Sequence, residues 1–146
     1  MKIPSSKRGG DFVDGVCKNS AVNICEYHMI KNLEDFQVYQ LAIQMGEDVW
    51  AIVDKWNYFQ KDTVGKQLVR AADSISANLS EGFGRYHYKE TKHFCYYSRG
   101  SLFETKTWLT KAKHRNLISS DQSELLMQQI KNLSVKINNY IQTLKY

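Results

Sequence analysis

A single proline, Pro4, and eight glycines are all the strong backbone breakers in 146 residues. So few breakers exclude an architecture of many short strands and tight turns and favour long helices. Cysteine is scarce as well: Cys17, Cys25 and Cys95 follow no regular spacing. Their odd number builds no disulfide framework and predicts reduced thiols. No window approaches the roughly 18 consecutive apolar residues of a membrane-spanning helix. Asp11, Asp14 and Lys18 interrupt any apolar run of the roughly 7–15 residues that a secretory leader needs. The expectation is a soluble, cytoplasmic, all-α protein with no membrane association.

What is present fits one domain, since 42% hydrophobic and 24% charged residues over this length supply a single core. The formal charge is +5, and its distribution says more than its size. Residues 85–115 carry Arg85, Lys89, Lys92, Arg99, Lys106, Lys111, Lys113 and Arg115 against Glu90 and Glu104, a local net of +6. Any preference for polyanions is therefore local to that segment.

Residues 1–32 show neither helical nor strand periodicity, and Ser5-Ser6-Lys7-Arg8-Gly9-Gly10 has loop composition. They are expected as a loose tail, with Met29 a candidate biological start, ahead of a helical domain over 33–146. Cys17, Cys25 and His28 lack the tight pairs and the fourth ligand of a structural zinc site, so no metal is expected there.

Four helical patterns follow. The first runs from about Glu34 to Trp56, with Val38, Leu41, Met45, Val49, Ile52 and Trp56 on one face, widened by Tyr39, Ala42, Gly46 and Val53. This aromatic-rich stripe reads as bundle core rather than a cofactor box. In the second, Asp62 and Thr63 are the expected caps, and Val64, Leu68, Ala71 or Ala72, Ile75 and Leu79 the buried side. Asn78 lies near that side and must hydrogen-bond, with backbone of the following turn as the expected partner. Gly82 and Gly84 are expected to take positive φ and end the helix. Gly82-Phe83-Gly84 is no phosphate loop, because no strand precedes it and the further glycine and lysine positions are missing.

The third helix, about Tyr88 to Lys113, is expected to bury Phe94, Ser98, Ser101, Thr105, Trp108 and Ala112, flanked by Cys95, Leu102 and Leu109. Cys95 reads as a buried small hydrophobe, and His87, His93 and His114 share no metal-ligand spacing. Opposite the buried side, Lys92, Arg99, Lys106 and Lys113 recur every seven residues, drifting about 20° per heptad and spanning roughly 30 Å. Tyr96 and Phe103 are interleaved with them. Cations alternating with aromatics suit phosphate contact and base stacking, so these six, with Arg85 and Lys89, are the candidate nucleic-acid contacts. A solvated charged face is the competing explanation. The fourth helix starts near Ser119 or Ser120 and carries the clearest seam, Leu126, Ile130, Leu133, Ile137, Tyr140 and Leu144.

The blocks Phe36 to Ala42, Gln67 to Ala72, Ser74 to Arg85 and Gly100-Ser101-Leu102-Phe103-Glu104 resemble those of the bacterial four-helix-bundle family of ribosomal RNA intervening-sequence proteins. The accessory variability protein of diversity-generating retroelements is a relative of that family. Ser76 replaces the proline usual in the Ser-Ile-Pro-Ala-Asn pattern, and His87 stands where a capping Ser or Thr is common. The resemblance implies an antiparallel up-down four-helix bundle, a ring-shaped homopentamer and no catalytic activity. For the retroelement branch it implies RNA or DNA and a reverse transcriptase as partners.

Two functions compete on the residues: a nucleic-acid-binding accessory protein, and a structural scaffold that binds a protein partner. No nucleophile–base set or metal constellation supports an enzyme, and no cofactor is implied.

Overall fold

The computed structural model describes residues 30–144; the tail with its Cys17, Cys25 and His28 lies almost wholly outside them. A short 3-10 turn, Leu33–Asp35, leads into α1, Gln37–Val53. Helix α2 begins as Tyr58–Gln60, widens into a π-helical stretch at Lys61–Gly65 and continues as Lys66–Phe83. Helices α3, Tyr88–His114, and α4, Ser120–Thr143, complete an antiparallel four-helix bundle. Each helix packs on the next, and α4 closes against α1. Ile30, Leu33 and the fully buried Phe36 already pack on the core ahead of α1.

The first helix is shorter than its pattern implied, because the chain leaves α geometry after Val53 and Trp56 packs from the following turn. Its buried centre is Val38, Ala42, Met45, Val49 and Val53, while Leu41 and Ile52 sit half-buried at the edge. α3 is rotated in the same sense: Cys95, Ser98, Leu102, Thr105, Leu109 and Ala112 are buried, and Phe94, Ser101 and Trp108 flank them. In both helices the buried line lies about one position further along the chain than expected and interleaves the small Ala42, Ser98 and Ala112 with the large Met45, Leu102 and Leu109.

The cap of α2 is Asn57 rather than Asp62 or Thr63. The Asn57 side chain accepts from the Gln60 N–H at 2.9 Å, and the Gln60 side chain accepts from the Asn57 N–H at 3.1 Å. This reciprocal pair satisfies two of the free donors of the first turn. Asp62 and Thr63 fall inside the π-helical stretch, where the Thr63 hydroxyl donates to the Phe59 carbonyl at 2.7 Å. Ser119 caps α4 in the same way, in a box with Gln122.

At the far end of α2, neither glycine takes positive φ. Gly84 ends the helix in ordinary right-handed geometry, with φ −75°. Gly82 instead permits contact: a Cβ there would lie 2.9 Å from Phe94 Cβ and 3.2 Å from the Thr91 carbonyl oxygen of α3. The left-handed turn is made by Asn116, φ 55°, after α3. Its N–H donates to the Lys113 carbonyl at 3.0 Å and that of Leu117 to the Ala112 carbonyl at 2.9 Å, a Schellman closure of the helix end.

One polar group ties the α2–α3 seam, and a second near it is satisfied locally. The fully buried Ser98 hydroxyl donates to the Ile75 carbonyl across the interface at 2.8 Å. The Asn78 amide donates back to the Ser74 carbonyl at 2.7 Å, in the preceding turn of its own helix and not the following one. A residue four positions earlier presents its carbonyl directly beneath the side chain, so the local bond wins.

Candidate nucleic-acid interface

α3 holds Lys92, Arg99, Lys106 and Lys113 in one row, with Lys92 and Arg99 half-buried and Lys106 and Lys113 exposed. Beside the row stand Tyr96, 39% exposed, and Phe103, 55% exposed. The mismatch between a seven-residue repeat and the helical period carries the row sideways, and the drift runs toward α4. There the Arg99 guanidinium donates to Asn138 Oδ1 at 3.1 Å and lies 5.0 Å from the centre of the Tyr96 ring. These contacts hold Arg99 in place while leaving its charge unneutralised.

One turn further along, α3 and α4 enclose a groove of 350 Å³. Leu102, Met127 and Ile130 form its floor, and Phe103 and Val135 its sides. Lys106 of α3 and Lys131 of α4 both line it. Lys131, Ser134 and Asn138 thus join the candidate surface although the pattern of α3 alone does not reveal them. The signal was the antiparallel register of α3 and α4, which sets residues 99, 103 and 106 beside 138, 134 and 131.

The candidates do not all come together. Arg85 pairs with Glu81 and lies 4.9 Å from the centre of the Phe94 ring, on the side of α3 that faces α2. Lys89 is exposed in the first turn of α3, near Glu90 and away from the groove. Among the described residues the ion pairs are Arg85–Glu81 and Lys61–Asp54, so no carboxylate pairs with Lys92, Arg99, Lys106, Lys113 or Lys131. Two polar side chains of α4 reach across to α1. Gln129 donates to Asp48 at 2.6 Å and Lys136 to Gln37 at 2.9 Å, both on α1.

The Cys95 thiol is pushed up to about 12 by burial. A group that holds its proton so firmly is no nucleophile at neutral pH. Asp73 is the other perturbed acid: partial desolvation, then the neighbouring Glu47, raise its pKa above the ordinary value of an aspartate. Its Oδ1 occupies the place where a side chain on Gly46 would be, 2.8 Å from such a Cβ. Among the described residues no three His, Cys, Asp or Glu side chains gather as a metal ligand set. No helix among them is long and apolar enough to cross a membrane.

The chain belongs to the 23S rRNA-intervening sequence protein family, whose pattern it matches over residues 34–139. It is similar to a solved structure described as a protein with unknown function from the S23 ribosomal protein family of Bacteroides thetaiotaomicron. The two are 16% identical with a TM-score of 0.65, covering 71% of this chain and 97% of that one. That likeness concerns the fold. A comparison with curated proteins finds no match.

Proposed function

We propose that this member of the 23S rRNA-intervening sequence protein family is a non-enzymatic nucleic-acid-binding accessory protein whose contact surface is the outer side of α3. The observation that carries the reading is a row of cations with no carboxylate partner among the described residues, interleaved with part-exposed aromatic rings. A solvated charged face normally mixes signs and forms pairs between residues three or four apart; this row has none. Such a surface neutralises phosphates and offers rings to bases without reading base edges, so sequence preference is weak. Cys95, buried and protonated, offers no activated nucleophile, which favours binding over catalysis.

The resemblance adds assembly to the proposal. A homopentameric ring would repeat the basic surface five times and multiply the phosphates engaged at once. A reverse transcriptase is the proposed protein partner on the same ground.

The test compares the parent with a variant carrying Lys92→Gln, Arg99→Gln and Lys106→Gln, measuring RNA and DNA affinity over a salt series. Each phosphate that the variant no longer neutralises should flatten the slope of log affinity against log salt by roughly 0.7–0.9. Glutamine is a good helix former, so helicity should persist. Unchanged affinity and slope in the triple variant would leave the row a solvated face and favour the protein-scaffold function.

A further inference from the structure

The groove between α3 and α4 has three properties that a flat basic face lacks. Its floor is apolar, one side is the half-exposed Phe103 ring, and it brings together an ammonium group from each helix, Lys106 and Lys131. Among the described residues neither ammonium has a carboxylate partner. Two like charges lining one concavity repel each other unless an anion sits with them. One turn before the groove the Arg99–Asn138 bond bridges the two helices and holds a third cation beside Tyr96. From Arg99 to Lys106 the cations of α3 beside and within the groove span seven residues of helix, roughly 10 Å.

We infer that this groove binds single-stranded nucleic acid, with a base seated against Phe103 over the apolar floor and its phosphate held jointly by Lys106 and Lys131. The inference rests on the nucleic-acid reading above and narrows it to one strand form and one two-helix site. A duplex offers phosphates to the cations, but its bases are stacked on one another and leave no face for Phe103. A single strand offers both, and stacking on an aromatic ring tolerates any base because every base has a π-face. The apolar floor points the same way, since a base face is poorly solvated whereas a phosphate-only contact gains nothing from Leu102, Met127 and Ile130.

The experiment is fluorescence anisotropy of the full chain with a labelled oligouridine strand and with a blunt RNA duplex, each over a salt series. The strand should bind roughly tenfold tighter than the duplex at matched salt, the factor expected for one stacked base. Phe103→Ala should remove that advantage and leave duplex binding unchanged, while Phe103→Tyr should keep it. Lys131→Gln should lower the strand's salt slope by about 0.7. Phe103 lies on the surface of a helix where alanine is favourable, so folding, checked by circular dichroism, should survive. Equal binding of strand and duplex, with Phe103→Ala silent and the salt slope intact, would overturn the groove and leave the basic face standing. Failure of both probes to bind at low salt would overturn both.

Discussion

At Gly82 the missing side chain decides how near α2 and α3 come. A Cβ there meets Phe94 Cβ at 2.9 Å and a backbone oxygen at 3.2 Å, neither of which can swing aside. Gly82→Ala should therefore destabilise by about 1–2 kcal/mol, overpacking outweighing the helix propensity gained. Chemical denaturation checks it, and a stabilised variant would mean the seam can open without penalty. Cys95 makes a second test. Because burial raises its pKa from 9 to about 12, the folded state disfavours the thiolate. The thiol's contribution to stability is whole below pH 9 and is lost as pH climbs toward 12. A disulfide reagent at about pH 8, below the thiol's ordinary range, should leave Cys95 unmodified in the folded protein and label it at once in denaturant. Asp73 has the same sign in an acidic group. Its raised pKa means that the carboxylate slightly opposes folding above the unfolded value, so Asp73→Asn should raise the melting temperature at about pH 7 and have no effect near pH 2.

At the level of the element, the seams of α2 and α4 were legible because large aliphatic residues recur there at steps of three and four. Leu68, Ile75, Leu79, Leu126, Leu133 and Ile137 are all buried as their spacing implies. α1 and α3 misled by a fraction of a turn. The large Leu41, Ile52, Phe94 and Trp108 drew the expected faces toward themselves and sit at the edge, whereas Ala42, Val53, Cys95, Leu102 and Leu109, read as flanking, are buried. The start of α2 was written in the chain as Asn57 followed by Gln60 and was obscured by Asp62 and Thr63, equally good caps that the π-helical stretch absorbs. Asn57→Ala should cost about 1 kcal/mol in thermal or urea unfolding. Of the candidate site, the half on α3 could be read from a heptad of cations. Lys131, Ser134 and Asn138 could not, because they join it only through the pairing of two helices distant in sequence.

For the whole molecule, removing residues 1–28 should leave the melting temperature nearly unchanged, since that segment carries no apolar period able to supply a core seam. A large loss would show that it packs on the bundle. Light scattering at micromolar concentration should give five times the chain mass of 17.0 kDa; a monomer would remove the multiplied surface from the account. The central claim concerns where a nucleic acid sits, and lysine acetylation read by mass spectrometry addresses it directly, residue by residue, with and without a bound single-stranded RNA. Lys92, Lys106, Lys113 and Lys131 should be protected by the RNA, while Lys55, Lys61 and Lys66, at the α1–α2 end of the bundle, should label as in the free protein. Protection confined to those α1–α2 lysines, or equal at every lysine, would contradict a nucleic-acid surface built on α3.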